Sequence, residues 1–482
     1  MRRLLCVAAV LAGWWAAQGA APIRALILSG RNNHDWRTTT PFLKEVLLDT
    51  GRFDVRVVEE PAGTTAATLS GYEVLVLDYN GARWGAATEA AVLGFVRSGK
   101  GLVAVHAATY AFGGLRILAD RSVRTDIIEP PWPEYGEMVG GAWSEAAPAT
   151  GHGRRHSFTV KFVDRDHPIT RGLKETFIAN DELYHNIRTR PGIHLLATAF
   201  DDLKMNGAGK DEPMLWTVNY GKGRVFHTAL GHDVAAMQEP GFMVTLARGA
   251  EWAATGSVTL PATIEPKRSA QPIRVQVVTG GHDHEASFYA IFEGDERLAV
   301  TINPHPDAYR NDLRKRADVL ALYDMVQEIP EVQRKNLREF LESGKGLVVL
   351  HHAIANFNAW PWWCQEVVGG KYLLKPEGSL PASTYRHGEE LFVEPVLDHP
   401  VTKGLSPMHL WDETYKGMWI SSKVKVLLKT NNATSDGPLA WISPYDKSRV
   451  VYIELGHDHL AHQHPGYRAL VKQAILWAAG RE

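Results

Sequence analysis

Ser98-Gly-Lys-Gly-Leu-Val-Ala-Val-His-Ala107 is a run that returns later in the chain, nearly unchanged, as Ser343-Gly-Lys-Gly-Leu-Val-Val-Leu-His-His352. Each copy starts with the glycine-rich stop of a helix, because glycine takes the left-handed cap at little cost. A continuous apolar strand follows at once, which is typical of a parallel sheet covered on both faces. The stretch therefore predicts a helix, a buried parallel strand and a histidine at the strand end, once in each half.

Four more motifs repeat in the same order along the chain. The period is far longer than the roughly 50 residues of a solenoid unit, so it predicts two copies of a whole domain. The pairs are Val139-Gly-Gly with Val368-Gly-Gly, Asp166-His-Pro with Asp398-His-Pro, Asp181-Glu-Leu-Tyr with Asp412-Glu-Thr-Tyr, and Leu230-Gly-His-Asp with Leu455-Gly-His-Asp.

Apolar strands alternate with amphipathic helices in both copies, which predicts an α/β fold: two tandem doubly wound, flavodoxin-like domains with mostly parallel sheets. The proline-containing stretch between the copies has no apolar period and is interpreted as a linker. The expected organisation is a signal peptide over 1–20, domain one over 22–256, the linker over 257–272 and domain two over 273–482.

Composition limits the partners. The chain has 482 residues, 22% of them charged, and a formal net charge of −2. No long basic stripe occurs, so no nucleic-acid partner is expected. The start has a different character: Arg2-Arg3 precede the apolar run Leu4–Ala17, followed by small residues, which is the pattern of a secretory signal peptide. A secreted or periplasmic protein is expected, with no membrane segment beyond that peptide.

Polar residues at strand ends are the candidates for chemistry, because ligands of open parallel sheets bind at the carboxyl ends of the strands. In the first copy the predicted catalytic residues are His106, Asp181, Glu182 and His232, and in the second they are His351, Asp412, Glu413 and His457. Residues predicted to bind substrate are His34, Asp35, Trp36, Tyr184, His282, His284 and Tyr415.

A divalent ion, zinc or similar, is the cofactor that these histidines suit, with His106, Glu182 and His232 as the predicted ligands. The same imidazoles could instead act as general bases. They could also have a structural role only, as histidines that hydrogen-bond to the backbone. His156 and His387 precede strands and could project into the same cleft. The aspartate of each Gly-His-Asp motif could orient its histidine or bind the ion itself.

Taken together, these motifs resemble the trehalose-utilisation (ThuA-like) family, within the class I glutamine-amidotransferase-like superfamily. The resemblance covers almost the whole chain after the predicted signal peptide, once per half, and implies a flavodoxin-like fold and a carbohydrate setting. The second copy departs from the pattern where Gly221-Lys-Gly-Arg-Val becomes Asp446-Lys-Ser-Arg-Val. A glutaminase needs a cysteine after the central strand, and none lies near His106 or His351. No nucleotide cofactor is expected.

Two functions fit these observations. The first is a secreted enzyme acting on a disaccharide or an oxidised (keto) sugar by metal-assisted or acid–base hydrolysis, elimination or isomerisation. The alternative is a non-catalytic carbohydrate-binding or scaffold protein, in which one or both copies have lost catalysis. A small-molecule carbohydrate is the expected partner in either case, and the oligomeric state stays open.

Overall fold

The computed structural model describes residues 21–112, 116–117, 123–124, 132–264, 272–293, 295, 297–305 and 308–482. The predicted signal peptide over 1–20 and residues 265–271 of the predicted linker lie outside these residues. Residues 21–264 are called the first half below, and residues 272–482 the second half. No helix of the described ranges has the length and apolar character that crossing a membrane requires.

The first half begins with alternating strands and helices and ends with two helices after a strand-rich middle. Its elements are β1 (Ile23–Leu28), α1 (Trp36–Asp49), β2 (Phe53–Val58), α2 (Ala66–Ser70), β3 (Val74–Leu77), α3 (Ala86–Arg97), β4 (Gly101–Val105), a 3-10 turn (His106–Tyr110), β5 (Arg116–Ile117), β6 (Val123–Arg124), α4 (Pro133–Val139), β7 (Gly141–Ala142), β8 (Gly151–His152), β9 (His156–Phe162), β10 (Thr176–Asp181), β11 (Tyr184–His185), β12 (Arg188–Thr189), β13 (His194–Phe200), a 3-10 turn (Leu203–Met205), β14 (Asp211–Tyr220), β15 (Gly223–Thr228), α5 (Val234–Met237) and α6 (Pro240–Thr255).

The second half follows a similar order with fewer regular helices. Its elements are β16 (Ile273–Gly280), a 3-10 helix (Ala286–Phe292), β17 (Leu298–Ile302), a 3-10 turn (Leu313–Lys315), β18 (Val319–Asp324), α7 (Glu331–Glu342), β19 (Gly346–Leu350), a 3-10 turn (His351–Ala355), a π-helical turn (Trp362–Val368), β20 (Gly370–Lys371), β21 (Thr384–Pro395), β22 (Met408–Lys416), β23 (Trp419–Ile420), β24 (Lys425–Lys429), β25 (Pro438–Ile442), β26 (Val450–Ile453), α8 (His459–His462) and α9 (Pro465–Ala478).

Each half contributes nine strands to one mixed sheet. In the first half the order is β2-β1-β3-β4-β15, all parallel, followed by the antiparallel strands β14, β13, β9 and β10. The second half repeats this as β17-β16-β18-β19-β26 and then β25, β24, β21 and β22. The predicted α/β class with a mostly parallel central sheet is confirmed at this level.

The two halves are joined through their edge strands. β2 and β17 pair in parallel, with Thr301 opposite Val57 and Ile302 opposite Val58. The result is a single sheet of 18 strands rather than two separate sheets. Because the pairing is parallel, the carboxyl ends of the parallel strands in both halves point to the same edge. Ion pairs of Glu60 with Arg310 and of Glu59 with Arg316 lie at the same junction.

The start of the predicted linker is not a free tether. Glu251 in α6 is fully buried and accepts hydrogen bonds from the backbone of Thr259 and Leu260, at 2.8 and 3.0 Å. Leu260 is itself buried against the core of the first half. The described part of this segment therefore packs onto the first half as an extension of it.

Candidate functional site

His106 lies at a sharp turn directly after the central strand β4. Its φ of +43° is in the left-handed region, and His351 after β19 has a φ of +50°. Such a backbone costs about 1–3 kcal/mol for a residue with a Cβ and persists where the surroundings impose it. His106 is buried, and its Nδ1 lies 2.7 Å from the Ala229 carbonyl oxygen. That bond places the hydrogen on Nδ1 and leaves the Nε2 lone pair facing the strand end.

Asp181, at the end of β10, holds the Gly-His-Asp turn that follows β15. Its buried carboxylate accepts hydrogen bonds from the backbone N–H groups of Gly231, His232 and Glu182, at 2.7, 3.2 and 2.8 Å. Gly231 has a φ of +117°, which only glycine adopts readily. Asp181 is therefore a positioning residue: it fixes the backbone that carries Glu182 and His232, and it does not itself face the cleft.

His34 reaches the same point from the loop after β1. Its Nδ1 lies 2.9 Å from Asn32 Oδ1, and Asn32 Nδ2 donates to Asp78 at 3.1 Å. Asp78 also accepts the hydroxyl hydrogens of Thr39 and Thr40, at 2.8 and 2.6 Å. This chain of hydrogen bonds from β3 to His34 places the hydrogen on Nδ1, so Nε2 carries the lone pair, as it does in His106, where Nε2 lies 2.8 Å from the Tyr184 hydroxyl.

Four side chains thus converge: His34, His106, Glu182 and His232, with one ligand atom from each lying within 4.8 Å of the others. Glu182 Oε2 is 3.0 Å from His232 Nδ1 and 4.0 Å from His106 Nε2. Neighbouring ligands around an octahedral ion with bonds near 2.1 Å are about 3.0 Å apart, and opposite ones about 4.2 Å apart. His232 Nδ1 is buried and not aligned for a hydrogen bond with any partner. The set therefore fits a divalent metal ion.

The charges of the cluster suit that reading. Burial lowers the pKa of His106 to about 3 and the pKa of His34 to about 2, so both imidazoles are neutral and can donate a lone pair. Contact with the Glu182 carboxylate raises the pKa of His232. Burial alone would raise the pKa of Glu182, but His232 and the other neighbouring imidazoles outweigh it and lower that pKa. Glu182 is thus an anion facing three histidines.

A cavity of about 320 Å³ lies directly above this cluster. That volume is at the lower end of the range for small-molecule sites, about 300–1,000 Å³. Its lining consists of Asn33, His34, Asn80, Tyr110, Trp143, Glu145, His152, Glu182, Tyr184 and His232. An adjoining cavity of about 590 Å³ is lined in part by Asp35, His34 and His232.

Several of these residues are absent from the predicted set. Trp143 follows the repeated Val-Gly-Gly motif closely, which is the one signal that could have indicated it. His152 carries no repeat signal, because Tyr385 occupies the matching position opposite Tyr415 in the second half. His152 Nδ1 lies 2.9 Å from the Gly153 carbonyl oxygen, so its Nε2, 3.7 Å from Glu182, carries the lone pair.

The second half builds a related cluster with three members, His351, Glu413 and His457. The same backbone devices recur: His351 Nδ1 lies 2.6 Å from the Glu454 carbonyl oxygen, and Asp412 accepts from the N–H groups of Gly456 and His457 at 2.7 and 3.0 Å. Tyr415 contacts His351 Nε2 at 3.1 Å, as Tyr184 contacts His106 at 2.8 Å.

The fourth imidazole is the main difference between the two clusters. His284, in the loop that corresponds to that of His34, lies 2.9 Å from the hydroxyl of Tyr289 instead. Tyr323 occupies the sheet position that Asp78 has in the first half, so the hydrogen-bond chain that orients His34 has no counterpart. Burial raises the pKa of Glu413 to about 7, opposite to the shift at Glu182.

The remaining predicted residues lie around the clusters or away from them. Trp36 is buried and has the guanidinium groups of Arg37 and Arg316 near its ring, so it faces the junction of the halves rather than the cavity. His282 stacks on His352, with ring centroids 4.4 Å apart. Asp233 pairs with Arg155 and caps α5, so its carboxylate does not join the cluster. His156 does not join the cluster either: its Nδ1 lies 2.8 Å from the backbone carbonyl oxygen of Arg154.

Comparison with known proteins agrees with the motifs. The model of the family described as trehalose utilisation (ThuA) matches residues 24–253 and, a second time, residues 274–478. The chain belongs to this family. No curated protein matches the chain.

Solved structures give partial overlaps. A thua-like protein from Parabacteroides merdae is 36% identical, with 50% of this chain covering 92% of that one at a TM-score of 0.44. A thua-like protein from Bacteroides uniformis is 19% identical, with coverages of 51% and 97% and a TM-score of 0.38. The β-galactosidase Gan42B is 14% identical, with coverages of 49% and 32% and a TM-score of 0.31.

Proposed function

We propose that the first half carries the active site of a metal-assisted enzyme that acts on a disaccharide or an oxidised (keto) sugar. One observation carries this proposal: His34, His106, Glu182 and His232 converge beneath a cavity large enough for a sugar ring. Membership of the trehalose-utilisation family supports the substrate class. We further infer that each half is a doubly wound, flavodoxin-like domain, since the parallel strands follow the order 2-1-3-4-5 of that fold.

The four converging side chains would hold the ion, and three features of the chain prepare them. The Ala229 carbonyl and the Asn32 amide fix the tautomers of His106 and His34, as described above. Asp181 fixes the turn that carries His232. A divalent ion bound there would polarise a carbonyl or hydroxyl oxygen of the sugar.

His152 is the side chain best placed to move a proton. It belongs to the cavity wall, its side chain is about 40% exposed, and its Nε2 lone pair is free. A base must lie within hydrogen-bond reach of the proton that it takes. We therefore assign His152 as the general base, which removes a proton from the carbon beside the sugar carbonyl in elimination or isomerisation, or from water in hydrolysis.

Other residues of the cavity lining suit the apolar face and the hydroxyl groups of a pyranose. The rings of Tyr110 and Trp143 lie 5.1 Å apart and form an aromatic surface at the cavity. Asn33 and Asn80 hydrogen-bond each other beside it; these bonds engage both side-chain groups of Asn80 and leave the Asn33 amide nitrogen to donate to a sugar hydroxyl. Aromatic bodies with a few well-placed polar groups are the usual composition of such pockets.

Solvent exchange offers the sharpest test. Trehalose and its enzymatically oxidised keto derivative would each be incubated with the metal-loaded protein in D₂O and followed by NMR. Deuterium should enter the carbon beside the carbonyl, or product should accumulate, and His152→Asn and His232→Ala should each abolish the change. His194→Ala is the matched control, since His194 is exposed and remote from the cavity.

The same experiment separates the alternative. If the sugar binds in calorimetry but neither exchange nor turnover occurs with any metal tried, the enzyme proposal is wrong and the carbohydrate-binding protein remains. We also propose that the protein acts outside the cytoplasm, which rests on the signal-peptide pattern of residues 1–20. Detection of the intact leader on cytoplasmic protein would refute that proposal.

A further inference from the structure

We propose that the second half holds a second metal site of a different kind: a tetrahedral, zinc-class divalent ion bound by His351, Glu413 and His457, with one position open. This proposal does not depend on the activity assigned to the first half. It rests on the distances between the candidate ligand atoms, on the groups that orient them, and on the loss of the fourth imidazole.

The two imidazole nitrogens are spaced as in a tetrahedron, and each faces a different oxygen of the same carboxylate. His351 Nε2 lies 3.3 Å from His457 Nδ1, Glu413 Oε1 lies 3.6 Å from His351 Nε2, and Glu413 Oε2 lies 3.4 Å from His457 Nδ1. Bonds of 2.0–2.1 Å at tetrahedral angles place ligand atoms about 3.3–3.4 Å apart. The first cluster is wider and less regular, with separations from 3.0 to 4.0 Å at Glu182 and a fourth ligand.

The protein orients these ligands before any ion arrives. The Glu454 carbonyl takes the Nδ1 hydrogen of His351, so Nε2 is the donor atom. Asp412 fixes the backbone of both His457 and Glu413 through hydrogen bonds of 3.0 and 2.8 Å. Groups of this kind, which hold ligands from behind, are what distinguishes a built metal site from a chance cluster.

His387 contacts the cluster glutamate more closely than His152 does in the first half, where the distance to Glu182 is 3.7 Å. It lies on β21, and its Nδ1 is 2.6 Å from Glu413 Oε2. The side chain is 58% exposed, so the ring reaches inward from the surface to the carboxylate. We assign His387 as a positioning residue that orients the carboxylate of Glu413.

The contact between the halves accounts for the open position. His284 is engaged by Tyr289, whose hydroxyl is also 3.4 Å from Thr68 of the first half. The imidazole that would correspond to His34 is thus held at the junction. Two histidines and one glutamate with a vacant fourth position form a ligand set that zinc takes in hydrolytic enzymes.

Metal counting and spectroscopy on the full chain test the proposal. The protein would be stripped, reloaded with Zn²⁺ or Co²⁺, and freed of excess ion. Wild type should hold two ions per chain, and His457→Ala and His232→Ala one each. Four-coordinate Co²⁺ absorbs visible light strongly and six-coordinate Co²⁺ weakly, so the strong band should vanish in His457→Ala and persist in His232→Ala.

Three controls keep the result interpretable. His409→Ala removes an exposed histidine of β22 outside the cluster and should leave two ions. Circular dichroism establishes that each variant is folded. His387→Ala should weaken the second ion by about 10- to 100-fold without changing the count at saturation. One ion per chain in wild type that His457→Ala keeps and His232→Ala loses, a strong band that persists in His457→Ala, or loss of both ions from either single variant would overturn the proposal.

Discussion

Replacing His227 by glutamine should make the protein less sensitive to acid. His227 lies in β15 with no exposed surface, stacks on Trp216 with centroids 4.0 Å apart, and contacts the Thr109 hydroxyl through Nε2 at 2.7 Å. Burial lowers its pKa to about 3, against a weaker opposing effect of the Val139 carbonyl. In the unfolded chain a histidine titrates near 6.5.

The sign follows from proton linkage. Because the folded pKa is the lower one, the unfolded chain takes up the proton first as the pH falls. The stabilisation that His227 provides in its neutral form is present above about pH 6.5 and is lost progressively towards pH 3. A pH of 5 lies about 1.5 units below the pKa of the histidine in the unfolded chain. At about 1.4 kcal/mol per unit, protonation of the unfolded chain lowers the free energy of unfolding by about 2 kcal/mol.

Urea unfolding at pH 7.5 and pH 5.0 measures this effect. For wild type and His227→Gln alike, the free energy of unfolding should fall between the two pH values, since other buried histidines contribute equally. The fall should be about 2 kcal/mol smaller in the variant. An equal fall in both proteins would mean that His227 takes up its proton inside the fold, and the reasoning from burial would be refuted.

Three further substitutions, two of them paired with a control variant, test the supports of the fold and of the site. Arg248→Ala should cost about 3 kcal/mol or more in urea unfolding, because the buried guanidinium donates to four backbone carbonyls; Arg248→Lys should recover part of the loss. Gly231→Ala should cost about 1–3 kcal/mol and release the first ion, because its φ is +117° and a Cβ would lie 3.0 Å from the Phe242 ring. Gly172→Ala, at a positive φ in open space, isolates the backbone strain from that clash. Asp181→Asn should reduce metal retention measured by elemental analysis, since an amide cannot accept three backbone N–H bonds in the same way.

The repeated motifs predicted the α/β fold and indicated which side chains meet. His106 and His232 follow neighbouring parallel strands, and the carboxyl ends of such strands share an edge, so their convergence follows from topology alone. Glu182 was predicted to join them because its Asp-Glu motif recurs in both copies. Both carboxylates of Asp181-Glu182 were predicted as catalytic, and Glu182 alone as a metal ligand; the hydrogen bonds of Asp181 to the Gly-His-Asp turn depend on how β10 ends against that turn.

Other features depend on contacts that leave no pattern in the sequence. Asn32 and Asp78 orient His34 from two different loops, and a single chain gives no sign that they meet. His284 hydrogen-bonds to Tyr289 instead of joining the second cluster, and this contact depends on the junction of the halves. That junction was not predicted either, because the sequences of the edge strands β2 and β17 resemble those of other buried strands and do not indicate that the two strands pair.

The pairing of β2 with β17 also bears on how such a chain arises. These are corresponding strands of the two halves, and they run side by side in parallel. A chain with one half alone could make this contact with a second copy of itself. Fusing two copies turns a concentration-dependent association into a permanent one. Each site is then free to diverge, because a mutation in one half of a fused chain does not appear in the other half.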